Sequence, residues 1–432
     1  MKFRSPRGML WLILTALASA AAAPAGAAGF ALFEQGARGM GFAGAYVAQT
    51  QDASALFHNA AGIAFLRGKN VYFGATLIAP STDFTGSSPF PGETVTEEGD
   101  AGIMIPFSID YSQQLSERLT VGLGVHVPYG LRTRWANRDT TYSGRYISKR
   151  AEIAGFSINP SAAYKVADRL AVGAGFDFRM ASVELDRNIG AINPFTQQVV
   201  DAATVALNSE TATGYGFNVG VLAQPIDNLS LGIAYRHKVA MDFQGDAVFT
   251  LQPTGNAQLD FAIARTLPNG STKVETRIEF PSLWSVGAEY RWNTWTVSAQ
   301  IDFHGWSSFD EVPLTFTDHP ELSSVIEENY ENSRIYRVGA EWRLSETWDL
   351  RGGYFYDESP APAEAVSPLL PDANRHGVAL GATLRVGRLR IDVANWFLFF
   401  EERSTEGRNR DDYNGTYKNF AELFSVSFGY RF

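Results

Sequence analysis

An apolar residue at every second position is the feature that most narrows what this chain can fold into. Leu170, Val172, Ala174, Phe176, Phe178 and Met180 alternate with Ala171, Gly173, Gly175, Asp177 and Arg179. Trp295, Val297, Ala299, Ile301 and Phe303 alternate in the same way with Thr296, Ser298, Gln300 and Asp302, and Leu229–Arg236 and Val338–Leu344 repeat the pattern. Successive strand side chains point to opposite faces, so each segment has one greasy face and one small or polar face. A soluble sandwich also alternates. Here, however, tight polar turns (113–118, 166–169, 225–228, 292–294 and 344–347) follow long loops of about 17–28 residues, the asymmetry of an outer-membrane barrel. The polar face also carries glycines and charges of both signs in mid-strand, as a wet lumen requires. The chain ends on an alternating aromatic strand, Phe424, Val426, Phe428, Tyr430 and Phe432.

Counting hairpins gives an all-β fold, a 14-stranded antiparallel transmembrane β-barrel over residues 70–432. Tyr72, Tyr111, Tyr164, Tyr290, Trp292, Trp295, Trp342, Trp348, Phe428 and Tyr430 are expected to form its interfacial girdles. Composition agrees. The charged fraction is 19%, below the roughly 25% of soluble domains, while 40 glycines and 13% aromatics run high. A net charge of −10 disfavours nucleic acid as a partner. The absence of cysteine excludes disulfides and thiolate metal sites.

Residues 1–27 read as a secretory signal peptide. Lys2, Arg4 and Arg7 precede an apolar stretch, and Ala25-Gly26-Ala27 supplies a cleavage site. The mature chain would start at Ala28 or Gly29, and loss of the three basic residues takes the net charge to −13. No later run is long and apolar enough for a transmembrane helix. Residues 28–69 lack the alternation and are rich in Gly and Ala. They are too apolar for a disordered tail, which leaves an N-terminal plug, or hatch, inside the lumen. Gly39-Met40-Gly41-Phe42-Ala43-Gly44 matches G-x-G-x-x-G but has no βαβ context, so close packing against the wall explains it better than a dinucleotide site.

These residues resemble the FadL-type outer-membrane transporters of long-chain fatty acids and other hydrophobic compounds. The resemblance rests on Ala28-Gly29-Phe30, on Gly39 through Tyr46, and on Asp52-Ala53-Ser54-Ala55-Leu56-Phe57-His58-Asn59-Ala60-Ala61-Gly62, where Ala60 replaces the usual proline. Tyr235-Arg236, Pro281-x-Leu283-Trp284, Trp306-Ser307-x-Phe309, Tyr336-Arg337 and Asp357-x-Ser359-Pro360-x-Pro362 extend it over the mature chain. It implies passive uptake of a long-chain fatty acid, or alternatively an aromatic hydrocarbon or alkane. Phe30, Leu32 and Phe33 would reach the binding pocket, the hatch Asn59, Ala60, Ala61 and Gly62 would respond to ligand, and a kinked third strand would release it sideways. Pro128, Tyr129 and Gly130 suit that kink, because proline donates nothing to a ladder and glycine permits a bend.

Parity directs Arg179, Arg236, Lys238, Arg337, Arg343, Arg351 and Arg390 to the lumen. A carboxylate cargo needs a charge-assisted partner, and the resemblance, which associates their strands with the pocket, makes Arg179, Arg187, Arg334 and Arg337 the candidates. Outside the barrel, the Asn193-Pro194 pair is expected to start a helix carrying Phe195, Val199, Ala203 and Ala206. The resemblance places an apolar capture groove between this loop and the next, to which Phe195, Val199, Phe249 and Phe261 would contribute. Other expected partners are outer-membrane lipid and lipopolysaccharide, and the barrel-assembly machinery through the strand ending at Phe432. The chain is expected to be a monomer without cofactor, metal or catalytic residues. A polar-solute porin is the competing reading. An embedded hydrolase has only His304 beside Asp302 to recommend it, with no G-x-S-x-G or H-E-x-x-H motif.

Overall fold

The computed structural model describes residues 29–139 and 141–432. The leader assigned to 1–27, and Ala28, lie outside the described residues. Fourteen antiparallel strands close into a barrel. They are β1 (Lys69–Gly86), β2 (Phe107–Gln114), β3 (Leu119–His126), β4 (Arg150–Ala167), β5 (Leu170–Ile192), β6 (Ala212–Ile226), β7 (Leu229–Arg236), β8 (Leu283–Trp292), β9 (Trp295–His304), β10 (Ser333–Arg343), β11 (Trp348–Asp357), β12 (Arg375–Val386), β13 (Leu389–Phe400) and β14 (Gly415–Arg431). The last pairs with the first, from Asn70 opposite Arg431 to Gly86 opposite Gly415. Closure matters physically, because an open sheet edge in lipid would leave backbone groups without partners.

The alternation expected from sequence decides which face is which. On β5, Ala171, Asp177 and Arg179 are buried inside, whereas Val172 and Phe176 are exposed on the outer wall. Outward Trp292, Trp295, Trp342, Trp348, Phe428 and Tyr430 are likewise exposed, and they gather at the short-turn end. Tyr72 departs from the expected girdle. It is fully buried, and its hydroxyl donates to Asp392 while accepting from the Arg38 backbone N–H. Its neighbour Phe73 takes the lipid face.

Beyond the long-loop end the wall continues as β-structure. The strand Val199–Ser209 pairs with β5 and with Val239–Leu251, which pairs in turn with Gly270–Phe280. The helix expected to begin at Asn193 is therefore a hairpin. The Asn193 side chain accepts from the N–H groups of Phe195 and Thr196, an Asx turn in place of a helix cap. The β-branched residues that follow pair with β5. A helix does form in the next loop, Ala257–Thr266, capped by Asn256.

The N-terminal segment folds inside the barrel as a plug. It contains two short helices, α1 (Ala37–Gly41) and α2 (Ala55–His58), followed by the 3-10 turn Ala60–Phe65. Nearly every residue from Phe30 to Ala64 is buried.

Candidate functional site

The site begins where β3 stops. Pairing of β3 with β4 lapses after His126 and resumes at Leu131 opposite Ile153. Pro128, Tyr129 and Gly130 leave the wall there, and the N-terminal tail replaces the missing neighbour. The Leu32 N–H donates to the Pro128 carbonyl (2.9 Å), and the Gly130 N–H donates to the Phe30 carbonyl (3.0 Å). The Gln35 side-chain amide donates to the Val127 carbonyl (2.7 Å). Buried backbone groups must be paired, so the tail serves as a substitute strand over the break. Leu32 packs at Gly130, and the Tyr129 hydroxyl donates to the Pro281 carbonyl.

The Phe30 ring lies edge-on to Trp306 (4.9 Å between centroids), Phe309 (5.2 Å), Phe280 (5.8 Å) and Tyr129 (6.1 Å), the geometry that aromatic quadrupoles favour. Phe30 also lines an apolar cavity of about 110 Å³. Inward residues of the extended wall (Ala151, Ile153, Val183, Leu185, Leu207, Phe243, Val274 and Ile278) form its sides, and Val312, Leu314, Ile326, Leu369 and Leu370 roof it. Among the described residues, no Arg, Lys or His lines this cavity. Glu328 reaches its rim, held 2.9 Å from Arg410. Burial pushes the Glu328 carboxyl above the ordinary range, and Arg410 pulls it back.

The arginines singled out from sequence have separate fates. Arg179 is buried, bonds Asp177 at 2.9 Å, and lies over the rings of Tyr129 and Phe280. Arg337 is buried, bonds Asp302 at 2.7 Å, donates to the plug carbonyl of Ala43, and sits over Phe33. Arg334 is exposed on the outer wall. Three positions from Arg337 on one strand, it must face the other way. Arg187, two residues beyond the cavity-lining Leu185, is half-buried without an ion pair among the described residues, its Nε unpartnered. Lys238 lies past the end of β7, paired with Glu279, and Arg343 is exposed at the end of β10, so neither is a buried lumen cation. His304 makes no hydrogen bond through either ring nitrogen, and Asp302 binds Arg337, Ser285 and Gln300 instead. The acid–base pair considered from sequence is absent.

On the short-turn side a charge network fastens the plug. Arg38 bonds Glu341 (2.6 Å), Glu341 bonds Arg351 (2.8 Å), and Arg390 bridges Asp52 (2.6 Å) and Asp392 (2.9 Å). Opposite, the plug seats on bare backbone. A Cβ on Gly173 would overlap the backbone of Ala60 and Ala61, and one on Gly220 would overlap the Asn59 side chain. Asn59 donates to the carbonyls of Val47 (2.9 Å) and Val221 (3.1 Å) and accepts from the Ala61 N–H (3.1 Å). Asn59, Ala60, Ala61 and Gly62 are all buried, and Asn59 bonds both plug and wall.

The outer loops do not bring the four proposed capture residues together. Phe195 and Val199 stand exposed at the hairpin tip, and Phe261 is exposed on its helix. Phe249 is buried in a cluster with Val205, Leu207, Leu314 and Phe316. Because Val199–Ser209 and Val239–Leu251 hydrogen-bond to each other, no groove separates them. The aromatic setting of Phe30, drawn from Trp306, Phe309 and Phe280, was missed as a site. Its trace in the sequence was an aromatic pair, Trp306 and Phe309, inside a long loop.

The sequence matches the model of a family described as outer membrane protein transport protein (OMPP1/FadL/TodX) over residues 18–432. It is 25% identical to the long-chain fatty acid transport protein of Escherichia coli O6:H1, covering 94% of both chains. The fold is similar to that of a Pseudomonas aeruginosa FadL homologue, with a TM-score of 0.83 at 22% identity over 94% of this chain and 100% of that one. The toluene transporter TodX of P. putida superposes with a TM-score of 0.73 at 18% identity over 93% and 99%.

Proposed function

Because the chain belongs to the OMPP1/FadL/TodX family of outer-membrane transport proteins, we propose that it takes up small neutral hydrophobic molecules, monocyclic hydrocarbons foremost. The lining of the cavity carries this reading. A hydrocarbon gains about 0.8 kcal/mol per CH₂ on leaving water, and a wall without Arg, Lys or His gives a carboxylate no cationic partner. Buried Arg179 and Arg337 are committed to Asp177 and Asp302. Engineered apolar cavities of about 150 Å³ bind benzene, and about 110 Å³ next to a displaceable Phe30 ring is of that scale. The TodX likeness agrees with this cargo.

A long-chain fatty acid is the second reading, supported by the E. coli relative and by Arg187, whose Nε is buried without a hydrogen-bond partner two residues beyond the cavity-lining Leu185. In either case, cargo displacing Phe30 pulls on the carbonyl that holds Gly130, which loosens the cover over the break in β3 and lets cargo leave sideways into the membrane. The exposed apolar tips at Phe195, Val199 and Phe261 would meet cargo first. The leader at 1–27 would be cleaved on export, and the strand ending at Phe432 would be read by the barrel-assembly machinery before the monomer settles among lipid and lipopolysaccharide.

Titration calorimetry with toluene and with a long-chain fatty acid tests the cargo class, the expected result being tighter toluene binding. Conductance in planar bilayers tests the plug. Deleting residues 29–66 should raise it, and an unchanged trace would favour the polar-solute porin.

A further inference from the structure

Unpaired positive charge collects at the short-turn end, where the barrel closes. The Arg431 N–H donates to the Arg388 carbonyl (3.3 Å), the Phe432 N–H to the Lys69 carbonyl (3.0 Å), and the Gln114 N–H to the Gly68 carbonyl (2.9 Å). These bonds set the β12–β13 turn, the end of β14, the entry to β1 and the β2–β3 turn along one arc. Arg67, Lys69, Arg118, Arg388 and Arg431 are all exposed on it, against one exposed acidic side chain, Glu117. None of the five makes a side-chain ion pair or hydrogen bond among the described residues. By contrast Arg169, Arg291 and Arg385, at the same end, bond Asp227, Glu289 and Asp349. Like charges on neighbouring strands repel, so Arg388 beside Arg431 calls for an anion. Next to these cations the outer wall is aromatic. Phe428 and Tyr430 are exposed there, with Phe73 opposite Phe428 across the seam and Tyr430 edge-on to Phe432 at 4.8 Å. Such rims sit at head-group depth, where phosphates lie.

We propose that this arc binds an anionic phospholipid, its phosphate among the five cations and its acyl chains against Phe73, Phe428 and Tyr430. Short turns of outer-membrane barrels face the periplasm, so the lipid belongs to the inner leaflet. Each Lys or Arg at an anionic membrane surface raises affinity about fivefold, and salt screens the exposed charges. The aromatic wall beside the cations selects a lipid over a free phosphate ion, which has no tail to lay there. A bound lipid spans β13, β14 and β1 and so fastens the seam between the first and last strands, which no turn connects. The site lies on the outside of the barrel and is independent of the identity of the cargo.

The test uses the protein exported and folded in cells, purified in an uncharged detergent. Native mass spectrometry follows binding as phosphatidylglycerol, or phosphatidylcholine with the same acyl chains, is titrated in. The expected result is tighter binding of phosphatidylglycerol by at least about tenfold, weakened by added salt. Replacing Arg388→Gln together with Arg431→Gln should remove most of that preference and leave phosphatidylcholine binding unchanged. Arg169→Gln is the control, since it removes a cation at the same end that is already paired with Asp227, and it should keep the preference. Heat-modifiable gel migration reports that each variant has folded. If the double variant fails to fold, Arg67→Gln with Lys69→Gln takes its place and should show the same loss. Equal affinity for the two lipids, an equal loss in R169Q, or displacement of the lipid by inorganic phosphate overturns the proposal. Toluene binding is a separate readout and leaves it untouched.

Discussion

The backbone N–H of Gly130 donates to the carbonyl of Phe30 across 3.0 Å, while the ring of Phe30 forms part of the cavity wall. One residue thus joins the apolar cavity to the place where the wall is broken. Phe30→Ala keeps the backbone bond and vacates the space among Trp306, Phe309, Phe280 and Tyr129. Aromatic pairs contribute about 0.5–1.5 kcal/mol each, so toluene affinity should rise about tenfold by calorimetry. Unchanged affinity would mean that ring and cargo do not share a site.

The plug's seat predicts a selective opening. Gly173→Val must displace Ala60 and Ala61, and the plug should yield before the closed barrel does. Higher single-channel conductance with normal heat-modifiable migration is the expected outcome. Gly352→Ala is the control, since its added carbon comes no nearer than 3.7 Å to the Ala379 carbonyl. If both variants conduct like wild type, the plug is not seated through Gly173.

Arg337 and Arg334 should behave as opposites. Arg337→Ala leaves buried Asp302 without its cation and frees the Ala43 carbonyl, a loss of about 3–5 kcal/mol for a broken buried pair. Limited proteolysis should find the plug more readily cut. Arg334→Ala, on the outer wall, should change stability by no more than about 0.5 kcal/mol. Fatty-acid affinity that falls with R334A would reverse this assignment.

Glu328 gives a pH dependence with a definite sign. Its carboxyl titrates higher in the folded loops than its unfolded value of 4.5, mainly through burial. The folded state therefore binds more protons than the unfolded state in the window above 4.5. The roof is most stable below that window and loses stability as pH rises through the folded value. Hydrogen exchange of residues 324–333 should speed up from pH 5 to pH 7 beyond the intrinsic rate change, and Glu328→Gln should flatten that excess.

Much of this was legible in the chain because strand pleating is local. A period of two needs only neighbouring residues, so the number of strands, the tight turns, the greasy outer wall and the small or polar inner face could be read directly. Parity alone sends Arg334 and Arg337 to opposite faces. The glycine- and alanine-rich stretch before β1 broke the period, which marked it as something other than wall. Other features depend on residues far apart in the chain, and only the tertiary structure decided them. Val199–Ser209 is a strand because β5 and Val239–Leu251 offer it edges to pair with, and no local propensity encodes those edges. Tyr72 turns inward because plug and wall meet its hydroxyl. The cavity exists because Phe30, Phe309, Ile326 and Leu370 converge from separate segments. Alternation states which side of the sheet a residue faces, and only packing states what it meets there.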